Sequence, residues 1–447
     1  MNTTRDAAAH HILLARLANA RALTDQLFEI VKSECLYERP IPERHRIVFY
    51  LGHLEAFDWN LLRDRLPGLH PFHKAFDRLF AFGIDPVSGG LPSDQPRDWP
   101  SIEEIRRYNH KVRESLAPAL EGVPASEVAR HNSEPYPSMS VLLNVAIEHR
   151  LMHAETFAYM LHQLPLGQKV RPGGAQAVAS SASTVTARMV EIPAGLTTLG
   201  LPREGGAFGW DNEFEQHCVS VPQFAIDQHK VTNGQYLNFL SEGGYENQSL
   251  WTEDGWNWKT HSGITHPVFW KRSGDAWNFR TMFAEIPLPM DWPVYVSHAE
   301  ASAYARWTGK VLPTEEQWHR AAYSTPEKRE RDYPWGAEDP TWQRGNFNFV
   351  SWDPAPVNSH PAGASGFGIS DVLGNGWEWT SSSFGPLPGF QPFAFYTGYS
   401  ANFFDRKHFV LKGGSSRTAA CMLRRSFRNW FQPHYPYIYA GFRCVSI

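Results

Sequence analysis

Cysteine is scarce in this sequence. Cys35, Cys218, Cys421 and Cys444 are scattered, with no C-x-x-C pair. That spacing argues against a structural zinc site or a disulfide framework and fits a reducing compartment, so a cytoplasmic protein is expected. Long apolar runs are missing too: nothing approaches the roughly 18 residues of a membrane span. The opening MNTTRDAAAHHILLARLANARALTDQLFEIV carries an acid and no long apolar core, so it does not read as a signal peptide. Nor is there an excess of positive charge. The formal net charge is -4, which leaves no basic footprint for nucleic acid. A soluble globular protein without membrane or nucleic-acid partners is expected, as a monomer or homodimer.

At 447 residues the chain exceeds one hydrophobic core. Residues 1–165 read as helical, because apolar positions recur at helical spacing in HHILLARLANARALTDQLFEIV, RHRIVFYLGHLEAFDWNLLRDRL, SIEEIRRYNHKVRESL and SVLLNVAIEHRLMHAETFAYMLHQL. Four such segments predict a four-helix bundle. Residues 166–188 are small, polar and aperiodic, and read as a linker. Residues 189–447 change texture: short β-like pieces alternate with Gly, Pro, Asn and Trp turns around one clear helix, SHAEASAYARWTGK. Ser297 with Glu300 three residues on predicts its capping box. The fold class expected is a bundle followed by a loop-rich α+β domain. Aromatic residues, at 14% and with the tryptophans crowded into the second half, fit a ring-lined pocket or an irregular fold.

In EHRLMHAETF, His149 and His153 stand at i,i+4 and project from one helical face. Glu155 completes a His-x3-His-x-Glu pattern, which invites a two-histidine, one-carboxylate site. Yet Glu155 lies two residues past His153, about 200° around the helix, and points away from that face. A third ligand is better sought on another helix. His53, in FYLGHLEAFDW, is the candidate, since an unpaired imidazole among Tyr50, Leu51, Leu54 and Phe57 would be costly to bury. Spacing alone does not separate a ligand set from polar residues on ordinary helices.

The second half carries MVEIPAGLTTLG, HKVTNGQYLNFL, PVYVSHAEASAYARWTGKVLPTEEQWHRAA, DVLGNGWEWTSSSF, FVLKGGSS and FRNW…AGFRCV. With the bundle, these ordered phrases resemble the ergothioneine-type sulfoxide synthases, in which a DinB-like four-helix bundle precedes a formylglycine-generating-enzyme-like, C-type-lectin-related domain. The resemblance covers nearly the whole chain. It implies a non-haem Fe(II) held by three histidines, here His53, His149 and His153, and a reaction that uses O2 to join C2 of the hercynine imidazole to the sulfur of a thiol donor. In FAFYTGYSANFF it implies that Tyr396 donates a proton or hydrogen atom during O2 reduction and that Tyr399 helps hold hercynine; aromatic packing is the plainer alternative. In FRNWF, Asn429 and Trp430 match a substrate-contacting loop, and Trp430 would face the trimethylammonium or the imidazole, with core packing as its alternative. DVLGNGWEWT reads as a fold signature without chemistry.

Three departures bear on the donor. Members using γ-glutamylcysteine carry Asp after the loop tryptophan, where this chain has Phe431. They carry Gln before the second helix histidine, where it has Met152. Their basic substrate-binding residue falls in a segment reading PVSGGLPSDQPRDWPS, in which Arg97 is a loose match. A donor bearing carboxylate and ammonium needs charged partners when buried, and two anchors are gone. FYLGHLEAFDWNLL with EHRLMHAETF looks most like the selenoneine-forming branch, whose donor is a selenosugar. Rival classes are a metal-dependent thiol transferase, a formylglycine-generating cysteine oxidase, which would need paired cysteines, and a non-catalytic lectin-like module.

Overall fold

The computed structural model describes residues 2–81, 91–124, 137–173 and 184–447. The chain divides into two compact units, Met1–Ala175 and Gln176–Ile447. Part of the expected linker, residues 174–183, and part of the segment around Arg97, residues 86–90, lie outside the described residues.

The first unit is built on helices α1 (Asn2–Glu29), α2 (Ile47–Leu62), α3 (Lys74–Leu79), α4 (Ile102–Glu121) and α5 (Met139–Gln163). Four of them coincide with the periodic segments of the sequence, and α3 is a short addition. In α4 the buried residues Ile105, Tyr108, Val112, Leu116 and Leu120 fall on one stripe, the spacing that lets a helix bury one face. Ser101 starts α4: its Oγ accepts from the Glu104 backbone N–H, while the Glu104 carboxylate accepts from the Ser101 N–H. Helix α5 is buried almost all round; it packs on α1 and α2, and α2 also packs on α4. No helix among the described residues is long and apolar enough to cross a membrane.

The second unit is α+β and rich in loops. Strands β1 (Met189–Ile192), β4 (Phe224–Asp227) and β12 (Val445–Ser446) form one sheet, so the C-terminal strand closes on the start of the domain. Strands β2 (Gly195–Leu199) and β3 (His217–Val221) form a ribbon; β5 (Trp270–Ser273), β6 (Ala276–Arg280) and β7 (Glu285–Pro287) form a meander. The fourth sheet runs in the order β10 (Asn429–Phe431), β9 (Phe409–Lys412), β8 (Trp377–Ser383), β11 (Ala440–Gly441). Helix α8 (His298–Trp307) has the predicted Ser297–Glu300 capping box.

The expectation of one clear helix falls short: α6 (Asn233–Ser241), α7 (Glu253–His261) and α9 (Glu315–Tyr323) are helical as well. Each starts at a threonine, Thr232, Thr252 or Thr314, whose side chain accepts the N3 backbone N–H. Nine residues make two and a half turns, too short for a strong 3.6-residue period, and the caps are the better signal.

Candidate functional site

Helix α2 contributes His53, and α5 contributes His149 and His153 one turn apart. All three side chains are buried, and their ligand atoms lie within 4.8 Å of one another. His53 Nε2 is 3.2 Å from His153 Nε2, which is 3.1 Å from His149 Nε2. His53 Nδ1 lies 2.7 Å from the Phe80 carbonyl oxygen. Only an N–H can face a carbonyl, so in the neutral ring Nδ1 carries the proton and Nε2 presents its lone pair inward.

Burial pushes the His53 pKa down to about 4 against the Phe80 contact; burial, then His153 and His53, holds His149 well below the ordinary value, and burial, then His53, Arg44 and Arg150, does the same for His153. At neutral pH the three rings are uncharged. Three imidazole nitrogens then crowd one point that their own N–H groups cannot satisfy in full. A divalent transition metal resolves that crowding, and the donor set fits one. Glu155 is buried but is no part of the cluster, as its helical phase requires.

Packing fixes the rings. Phe57 stacks on His149, centroids 3.4 Å apart and planes 9° apart, and Phe49 stacks on His53 at 4.8 Å. Gly52 makes room for the backbone partner of His53, since a Cβ there would sit 2.5 Å from the Phe80 ring. Phe80 approaches α2 closely enough to offer its carbonyl to His53 only because that position is bare. Gly52→Ala is therefore expected to displace Phe80, cost about 1–3 kcal/mol by overpacking, and weaken metal binding by roughly 10–100-fold through the lost His53 partner. Metal titration alongside thermal melting checks both.

Beyond the nest, Arg150 follows His149 and pairs with Glu55 (3.1 Å) and Asp58 (2.8 Å), all three buried. Met152 is half-buried on α5, and Arg97 is exposed.

In the second unit Tyr396, Tyr399 and Trp430 come together. Tyr399 lies 5.7 Å from Tyr396 and meets the edge of Trp430 at 5.4 Å and 81°. One face of Trp430 is taken by Phe384, parallel at 4.2 Å, so packing accounts for that face. Asn429 Oδ1 accepts the Trp430 backbone N–H at 2.9 Å, and Phe431 stacks on Tyr435 at 5.5 Å and 8°. Burial, then the nearby Asp211 carboxylate, pushes the Tyr396 phenol up to about 12. It is protonated at neutral pH.

Sequence alone does not single out the residues that hold this cluster. Trp210 is buried and stacks on Tyr399 at 3.9 Å. Three residues on, Glu213 receives Arg424 Nε (2.8 Å), Ser426 Oγ (2.6 Å) and the Trp210 N–H (2.8 Å). Arg428 grips Glu315 through Nε (2.9 Å) and Nη2 (3.0 Å). The only signal in the sequence is a run of three acids after a tryptophan in GWDNEFE.

Two family models meet on this chain: the sulfatase-modifying factor enzyme 1-like domain over residues 175–447 and the DinB superfamily over residues 16–157. They define the class, a DinB-type bundle joined to a sulfatase-modifying-factor-like domain. The hercynine oxygenase of Mycobacterium tuberculosis is 35% identical to this chain, over 96% of it and 97% of that protein. That of Mycolicibacterium smegmatis is 34% identical, over 97% and 98%. Ergothioneine biosynthesis protein 1 of Neurospora crassa is 28% identical, over 93% of this chain and 55% of the fungal protein. The chain belongs to the ergothioneine-type family to which these proteins belong.

Proposed function

We propose that this chain is an Fe(II)- and O2-dependent enzyme that acts on hercynine and joins C2 of its imidazole to the selenium of a selenosugar. The reading is carried by the nest of three buried, uncharged imidazoles in a chain 35% identical to a protein named hercynine oxygenase. His53, His149 and His153 hold the iron, which when bound supplies the redox chemistry that O2 requires. The nest brings three nitrogens and no carboxylate, so the protein adds no charge to the metal.

The remaining residues bind and hold protons. Tyr396 keeps its phenolic proton at neutral pH and brings no charge into the site until it donates. Tyr399 and Trp430 offer ring surface to the trimethylammonium, worth roughly 0.5–2 kcal/mol, and Asn429 and Met152 line the substrates.

Phe431 favours the selenosugar as donor. Its stack on Tyr435 makes a flat apolar surface that suits a neutral ring and gives an ammonium no counter-charge. The second reading is a C–S bond to cysteine, γ-glutamylcysteine or another thiol; the ergothioneine in the name of the fungal relative favours it.

Anaerobic loading with Fe(II), followed by O2, hercynine and each donor in turn, decides by mass spectrometry. Hercynine is expected to be consumed with the selenosugar at least about tenfold faster than with γ-glutamylcysteine, the equivalent of about 1.4 kcal/mol. Turnover with thiols alone selects the second reading, and hercynine untouched with every donor overturns both.

A further inference from the structure

Asp211 sits in the turn behind the two tyrosines, and its side chain is fully buried. Its Oδ1 accepts a 2.6 Å hydrogen bond from Ser400 Oγ, the residue after Tyr399. The backbone N–H of Phe393, three residues before Tyr396, also favours the charged form of this carboxylate. The preceding residue, Trp210, stacks on Tyr399, the neighbour of Ser400.

The other charged groups around the turn are committed elsewhere. Glu213 is paired with Arg424, and Arg428 is paired with Glu315 while giving Nη1 to the Asn212 carbonyl. Asp211 forms no ion pair among the described residues; burial raises its pKa, and the Ser400 hydroxyl counters by favouring the charged form.

We propose that Asp211 is a positioning residue: by holding Ser400 while Trp210 stacks on Tyr399, it fixes the segment that presents Tyr396 and Tyr399. Its charge has a second effect, since a negative group beside a phenol opposes ionisation and Tyr396 is the phenol that feels it. Both effects come from one carboxylate, so they separate by substitution. Asp211→Asn keeps the shape and removes the charge, whereas Ser400→Ala removes the hydrogen bond and keeps the charge. The inference rests on the proposed function only in giving the two tyrosines a substrate-facing role.

The test uses the full chain with 13Cζ-labelled tyrosine, Tyr396→Phe and Tyr399→Phe assigning the two signals by NMR. In Asp211→Asn, Tyr396 is expected to ionise about one pH unit lower than in the wild type, the size of a single partly screened charge. In Ser400→Ala, both signals are expected to shift or broaden at neutral pH, with the hercynine KM raised severalfold. Hercynine left unconsumed by the wild type would sink the proposed function and leave these signals readable. Both signals unmoved in Ser400→Ala overturns the positioning role, and Tyr396 ionising at an unchanged pH in a folded Asp211→Asn protein overturns the effect of the charge.

Discussion

His149→Ala is expected to yield a folded protein that retains no stoichiometric iron and whose hercynine-dependent O2 uptake falls by at least about 100-fold. The magnitude follows from the donor set. Losing a partner that merely orients a metal-bound histidine costs roughly 10–100-fold, and in the proposed site His149 is itself one of three ligands, so its loss leaves two nitrogens. Folding survives because the rest of α5 buries a large apolar surface, including Leu142, Leu143, Ala146, Phe157 and Leu161. The loss of the Phe57 stack and the small cavity should cost about 1–3 kcal/mol. Glu155→Gln supplies the contrast, since a glutamate outside the cluster should leave one iron per chain. Iron analysis and an oxygen electrode read both variants. Iron retained in His149→Ala would remove the nest as the metal site, and iron lost in Glu155→Gln would restore the carboxylate as a ligand.

Helical phase and burial cost make His53, His149 and His153 candidates, and the resemblance to the family makes them one set. A 3.6-residue period places His149 and His153 on one face and turns Glu155 away, and an imidazole in an apolar helix demands a partner. Those are local rules, and the nest obeys them. What holds the rings is not local. Phe80 reaches His53 from 27 residues away because Gly52 is bare, and nothing in GHLEAF announces it. The tyrosine cluster shows the limit more sharply. Asp211 and Ser400 are 189 residues apart in sequence, and Glu213 meets Ser426 across 213. A domain with so little regular structure is fixed by buried polar contacts between distant loops, and hydrophobic periodicity carries no record of them. The three short helices show a middle case, because their threonine caps stand in plain sight and periodicity is the wrong test.

The DVLGNGWEWT phrase, a fold signature without chemistry by its sequence, holds the residue with the largest expected effect on stability. Glu378 lies fully buried on β8. Its Oε1 accepts from Lys230 Nζ at 2.7 Å and Arg443 Nη2 at 2.9 Å; its Oε2 accepts from Arg443 Nε at 2.6 Å and Trp318 Nε1 at 3.0 Å. Lys230 and Arg443 are buried as well, so Glu378→Ala strands two cations beside a cavity. That is expected to destabilise the second unit by about 3–5 kcal/mol, read by urea denaturation, while the bundle melts as before. Glu378→Gln keeps the volume and isolates the charge. Burial opposes ionisation of Glu378, but Arg443 and Lys230 outweigh it and hold the pKa below the ordinary glutamate value. A carboxyl depressed in the folded state adds stability that is complete above its unfolded pKa of about 4.3 and is lost as pH falls through the folded value. The wild type should therefore lose more stability than Glu378→Gln when the pH is lowered from neutral to below about 4. Equal losses in the two proteins would mean that Lys230 and Arg443 do not depend on this carboxylate for their charge balance.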